Sequence, residues 1–281
     1  MKVHILGKGT IDLSIVSLEE IKPHEATIPS FLSSIERDMK RTGFQRDPIL
    51  IDRKTHMALD GMHRRQALAS LRAKYAICSE FDYFDQSVKL ERWLRYLVAP
   101  NLETVKRMIS MFHMKKVRGI GNAIKAVDSR KSGFAILNRR SSFVSQDVKN
   151  IFEVYQKLED VDQLCEQNQV EISFASDKEK LDLYSSESVF VLYPAPLHKS
   201  DVVAMVKRSS VFPCKTTRHI VPLRPMGVYF PLDMLVHSSK RICERELKRI
   251  VKLSNVVVEE QDVWYEGRRY SEPIAVFRKH S

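Results

Sequence analysis

Three short clusters in this 281-residue sequence hold side chains that could do chemistry together. The first is Asp60-Gly61-Met62-His63-Arg64, where a strand is expected to turn into a helix. Glycine lets a backbone turn tightly or approach a ligand closely. A helix start offers unpaired N–H groups and the positive end of the helix dipole, which suits a phosphate. His63 and Arg64 add hydrogen-bond donors and charge, and Asp60 could hold a Mg²⁺ ion against phosphate oxygens. Taken alone, the same letters also describe an ordinary turn followed by a surface arginine. The second cluster is His24-Glu25. A carboxylate near a phosphoryl donor can take the proton of an attacking hydroxyl, although a lone loop glutamate is usually just solvated. The third is Lys215-Thr216-Thr217-Arg218-His219. Its hydroxyls, fixed cations and imidazole could clamp a carboxylate or phosphate, with Arg218 making a two-pronged contact. An edge strand with polar side chains would read the same way.

These clusters need elements to position them. Strands are expected at Leu13–Leu18, Pro48–Asp52, Met57–Leu59 and Tyr75–Phe81. Pro29 and Ser30 open a helix, with Phe31, Leu32, Ile35 and Met39 at helical spacing and Gly43 as its stop. Another helix follows Gly61, with Ala67, Leu68 and Leu71 on one face. The pattern of Ser87–Leu97 predicts an amphipathic helix carrying Trp93. Ala99-Pro100-Asn101 is the candidate boundary, giving domains 1–98 and 99–281. Beyond it, helices are expected at Leu102–Val117, Asp201–Lys207 and Ser239–Leu253. A long helix is expected at Ser145–Cys165, with Val148, Ile151, Phe152, Tyr155 and Leu158 on one side. Strands are expected at Val170–Ala175, Val189–Tyr193, Val256–Glu259 and Ile274–Phe277. The class is α+β.

Composition narrows the function classes. Hydrophobic residues make up 43%, enough for a packed core, and Gly 9 with Pro 11 exclude collagen-like and low-complexity chains. No apolar run approaches the roughly 20 residues that cross a bilayer, and the first residues lack a signal-peptide pattern. The reading is a soluble, cytoplasmic protein with no membrane partner. Cys78, Cys165, Cys214 and Cys243 are far apart and form no CxxC pair, so they read as reduced thiols. The net charge is +11, and Val105–Arg140 holds ten basic residues against the single acid Asp128. Such a block describes a nucleic-acid footprint, a funnel for phosphorylated ligands, or a solvated helix face whose neutralising acids lie elsewhere in the fold. Within it, Gly119-Ile120-Gly121 is the pattern of a nucleic-acid-binding hairpin, though a short one. Gly7-Lys8-Gly9-Thr10 lacks the spacing of a phosphate loop.

Four stretches stand in the order found in one known family: KPHE at Lys22–Glu25, LDGMHR at Leu59–Arg64, DYFD at Asp82–Asp85 and VFPCKTTRH at Val211–His219. In them the chain resembles the free L-serine kinases, archaeal type, of the ParB/sulfiredoxin-like superfamily. The resemblance covers about Val16–Trp93 and Val189–Pro222. It implies a ParB/sulfiredoxin-like nucleotide-binding N-terminal domain and a second, mixed α/β domain contributing the KTTRH segment. It implies transfer of a phosphoryl group from ATP or ADP, with Mg²⁺, to L-serine, giving O-phospho-L-serine for cysteine synthesis. By the same resemblance, Glu25 is the catalytic base. Asp60, Gly61, Met62, His63 and Arg64 bind nucleotide phosphate, with Asp60 as metal ligand. Trp93, Thr216, Thr217, Arg218 and His219 hold the substrate. Met62 stands where the family often has another histidine. Sulfiredoxin chemistry needs a cysteine in this turn, and none is there. The reading open beside it is a ParB-like, CTP-dependent DNA-binding regulator, which keeps nucleic acid as an open partner. Against it, Leu102–Val127 shows no turn pattern for a recognition helix.

Overall fold

The computed structural model describes residues 1–5, 7–146, 150–176 and 188–279, and the fold is α+β, as the patterning predicts. The chain divides into two units: Met1–Lys89 with Met205–Val211 and His219–Ser281, and Leu90–Ala204 with Phe212–Arg218. This division differs from a single cut at Ala99–Asn101, because Leu90–Val98 go with the second unit and residues 219–281 with the first.

The first unit is built on a five-stranded sheet in the order Lys2–Ile5, Gly9–Ser17, Tyr75–Phe81, Ile49–Asp52, Ala58–Asp60. Tyr75–Phe81 pairs antiparallel with Gly9–Ser17 and parallel with Ile49–Asp52. Gly7-Lys8 is the turn between the first two strands, closed by Lys8 N–H donating to Ile5 O at 3.0 Å, and holds no phosphate loop. The helix Pro29–Thr42 starts on Pro29 and stops at Gly43, whose φ of 74° is the left-handed cap that glycine adopts without strain. The last part of the chain completes this unit. The helix Lys240–Lys252 buries Cys243, Leu247 and Val251 in the same apolar cluster as Ile11, Leu13 and Ile77. Ile274–Lys279 pairs parallel with Arg224–Met226 and antiparallel with Ser254–Glu259, adding Ala275 and Phe277 to that cluster.

The second unit has an antiparallel sheet in the order Glu171–Ser176, Lys89–Val98, Val189–Pro194, Phe134–Asn138, Ser141–Val144, Lys115–Val117. Leu94, Ala135, Leu137, Val191 and Tyr193 pack with Ala123 and Val127 of the helix Ile120–Asp128. Here two expected helices are corrected. Ser87–Leu97 is not a helix; Lys89–Val98 is a strand. Its charges suggested a solvated helix face, but Arg92 and Arg95 are buried and paired. Arg92 donates to Asp128 at 2.6 Å. Arg95, fully buried, grips Asp162 through two bonds of 2.7 and 2.8 Å. Such a fork pairs two of the guanidinium's nitrogens with a charge-assisted partner, while its buried Nη1 has none. Leu102–Val117 is helical only over Leu102–Met111, and Lys115–Val117 is an edge strand. The long helix is Ile151–Gln167, opened by Asn150 accepting from Glu153 N–H at 3.0 Å and burying Val154, Tyr155, Leu158 and Val161. Val148 lies outside the described residues. Among the described residues, which include all four cysteines, there is no disulfide, and no helix is long and apolar enough to cross a membrane.

One buried amide acts as a piece of sheet. Gln45, fully buried, accepts from Ile77 N–H at 2.9 Å and donates to Ile77 O at 2.9 Å. It thus completes the backbone pairing of a residue whose groups no neighbouring strand reaches from that side. Gln45→Leu removes the partner of Ile77 N–H and of Ile77 O, and a further bond to Asp47 O, each buried group left unpaired costing about 1–3 kcal/mol. The expected loss is about 2–4 kcal/mol in urea unfolding; a change below about 1 kcal/mol would show that the amide is dispensable.

Candidate active site

In the first unit, the segment from Lys22 runs beside the strand that ends at Asp60. Lys22 N–H donates to His56 O at 3.0 Å, and Ala58 N–H donates to Lys22 O at 2.9 Å. His24 is fully buried and donates from Nδ1 to Ala58 O at 2.5 Å. Glu25, next in the chain, is 9% exposed. The loop carrying the proposed acid and the strand carrying the glycine corner are therefore hydrogen-bonded neighbours.

Gly61 makes that corner with φ 99° and ψ 24°, as the N-cap of the helix Met62–Ser70. A side chain here would be strained by that φ and would meet Arg64 Nη2 at 2.9 Å. No side chain caps the helix start, and the first N–H groups of a helix lie beyond its internal hydrogen-bond ladder. Met62 points into the apolar cluster and offers the site only its backbone. Arg64 folds back over Gly61 and donates from Nη2 to Pro48 O at 3.2 Å, while its buried Nε–H has no hydrogen-bond partner. His63 Nε2 accepts from Ile28 N–H at 2.8 Å, so the ring carries its proton on Nδ1.

Asp60 is fixed by Arg224. Arg224 is buried and donates from Nη1 to Asp60, from Nε to Glu272 at 2.6 Å and from Nη2 to His219 O at 3.2 Å. Burial opposes the charge on Asp60, but Arg224, Arg268 and Arg64 outweigh it and hold the carboxyl far below the usual carboxylate range. Its ion pairs with Arg224 and Arg268 are made through Oδ2, and a quarter of its side chain (24%) is exposed. Among the described residues no group of three or more His, Cys, Asp or Glu could cage a metal ion. Mg²⁺ needs no such cage when substrate phosphates complete its shell. An ionised, part-exposed carboxylate with Oδ1 outside its ion pairs fits that use.

His219 lies in the same group. Its ring stands edge-on to His24 at 5.1 Å, and its Nε2 shares a hydrogen bond of 3.0 Å with the Tyr83 hydroxyl. The rest of its segment belongs to the second unit, joined to it by the Arg218–His219 peptide bond. There Trp93, half-buried on its strand, donates from Nε1 to Thr217 O at 3.0 Å. Lys215 Nζ and the Arg218 guanidinium lie 5.0 and 5.1 Å from the Trp93 ring centre, a favourable cation–ring arrangement. Thr216 donates to Pro213 O at 2.8 Å, and Arg218 Nε is 3.9 Å from Glu91.

Thus Glu25, Asp60, Gly61, Met62, His63, Arg64 and His219 belong to the first unit, and Trp93, Thr216, Thr217 and Arg218 to the second. Sequence reasoning missed Arg224, Glu272 and Tyr83. For Arg224 the available signal was a lone charge in the apolar run Val221–Phe230.

The two imidazoles set a pH dependence. Burial pushes His24 down to about 4, against the opposing pull of Ala58 O and Asp60. Burial and then His24 push His219 well below its ordinary range. Both stay neutral in the fold but bind protons near pH 6.5 when unfolded, so the unfolded state holds more protons between these values. Stability is therefore full above about pH 6.5 and falls towards pH 4, by about 3 kcal/mol from His24 alone. Denaturant unfolding at pH 7.5 and 4.5 should show this drop, and His24→Asn should shrink it.

No family model matches the chain. The ATP-dependent L-serine kinase of Staphylothermus marinus is 24% identical, over 79% of this chain and 90% of its own length. The ADP-dependent L-serine kinase SerK of Thermococcus kodakarensis is 25% identical, over 80% of this chain and 93% of its own. A solved free serine kinase in complex with AMP, 24% identical, has the same fold, with a TM-score of 0.69 over 80% of this chain and 94% of that one. In sequence the chain is thus similar to L-serine kinases, and in fold to a free serine kinase.

Proposed function

We propose that this protein transfers the terminal phosphoryl group of ATP or ADP to the hydroxyl of free L-serine. The observation that carries the reading is the pairing of the Lys22–Glu25 loop with the strand ending at the glycine corner, which brings a buried acid onto the segment next to an anion-ready helix start. The sequence relation to L-serine kinases supports it independently.

In this reading the donor's terminal phosphates take the backbone N–H groups of the uncapped helix start after Gly61 and the Nε–H of Arg64. Asp60 would hold Mg²⁺, which supplies charge neutralisation on the phosphate oxygens. Arg224 keeps Asp60 ionised for that purpose. Glu25 accepts the serine Oγ proton as Oγ bonds to phosphorus and the bond to the nucleotide's leaving oxygen breaks. The products are O-phospho-L-serine and ADP or AMP. Thr216, Thr217, Arg218 and His219, with Trp93, are assigned to serine, Arg218 to its carboxylate. Positioning and fixed charge supply most of the rate, as is usual for phosphoryl transfer. The product would feed cysteine synthesis, as the resemblance implies.

With serine and Mg²⁺, ATP or ADP should yield phosphoserine by mass spectrometry; none with either donor refutes the reading. Glu25→Gln should lower turnover at least about 100-fold with its unfolding midpoint retained. Arg218→Ala should raise the serine KM about 10-fold or more and leave the nucleotide KM alone; an unchanged serine KM removes Arg218 from that role.

A further inference from the structure

The basic stretch Val105–Arg140 and the Gly119-Ile120-Gly121 motif have no part in the chemistry above, and the fold gathers them in the second unit. The edge strand Lys115–Val117 pairs antiparallel with Ser141–Val144, Lys116 opposite Phe143 and Val117 opposite Ser142. That register draws the hairpin turn carrying Arg139 and Arg140 towards Arg118 and the start of the helix Ile120–Asp128. Between them lies a cleft of about 660 Å³, lined by Lys116, Arg118, Gly119, Gly121, Arg139 and Ser142 among others.

The acids that would make this a neutral surface are committed elsewhere. Asp128, the one acid of the stretch, pairs with Arg92. Among the described residues Lys116, Arg118 and Arg139 are exposed and have no ion pair. The cleft also takes in the helix start, which no side chain caps, and a Cβ built at Gly119 or Gly121 would meet nothing within 4 Å. Concentrated cations beside open backbone N–H groups are a phosphate-binding chemistry.

We propose that this cleft binds the phosphodiester backbone of double-stranded nucleic acid, without sequence preference. The cations span a strand edge, a hairpin turn and a helix start, and Lys125 and Lys131 continue them as exposed residues, an extent beyond one phosphate. Single strands need exposed rings for base stacking. The aromatics of the stretch, Phe112 and Phe134, are instead buried against each other at 5.2 Å. The cleft lining has no large exposed apolar side chain of the kind that would enter a lipid surface.

The test uses the full chain and a fluorescein-labelled duplex of about 20 base pairs, with anisotropy read from about 50 to 200 mM salt. Phosphate contacts from Lys116, Arg118, Arg139 and Lys125 predict a log K against log salt slope of about −3 to −4, roughly a hundredfold loss across that range. Arg118→Glu with Arg139→Glu should weaken binding at least about 10-fold at low salt and reduce the slope by about 2. Lys248→Glu with Lys252→Glu, the same charge change on an exposed helix of the first unit, should leave both unchanged. Absence of duplex binding at low salt, an equal loss from the control pair, tighter binding of the single strand, or binding of phosphatidylserine vesicles without duplex would each overturn the proposal. Phosphoserine formation is measured on the same variants and is expected to be unaltered, so this proposal and the kinase reading fail separately.

Discussion

One buried guanidinium holds the candidate catalytic unit in register. Arg224 meets Asp60, Glu272 and the carbonyl of His219 at once, and so ties the strand before the glycine corner to two separate parts of the C-terminal region. A charge taken this far from water is tolerable only when its partners are well placed. The arrangement therefore demands that three distant stretches arrive together. What it produces locally is a carboxylate that stays ionised although burial disfavours it. Burial keeps the neighbouring imidazoles neutral, and for His219 the nearby His24 and Arg224 add to it.

The local parts of the site were legible because their chemistry is written in adjacent letters. Asp60-Gly61 before a helical pattern announces a tight turn into a helix start, and the structure puts φ 99° at that glycine. Pro23 before His24 announces extended chain, and the segment pairs with the strand at Ala58. Arg224 was not legible as part of the site, because its partner Asp60 is 164 residues away and no local pattern records such a distance. The strand Lys89–Val98 misled for a related reason. Arg92 and Arg95 look solvated in sequence, and only their partners Asp128 and Asp162, on later helices, make them interior residues.

The two kinds of arginine in the second unit show how one residue type serves opposite ends. Arg92 and Arg95 spend their charge on aspartates inside the unit and rigidify its sheet. Arg118 and Arg139 keep theirs at the surface, on a cleft formed by an edge strand and a hairpin turn. An exposed sheet edge invites unwanted pairing with other chains, and a pair of lysines there discourages it. Lys115 and Lys116 thus guard the edge as well as supplying charge.

The apolar cluster of the first unit has a consequence for how the molecule is made. Its early strands, bearing Leu13 and Ile77, wait for Leu247, Ala275 and Phe277, which are translated after every residue of the second unit. Most of the second unit is one continuous stretch, Leu90–Ala204, and can close upon itself while translation proceeds. The first unit of the nascent protein is thus completed only after the second unit has been made.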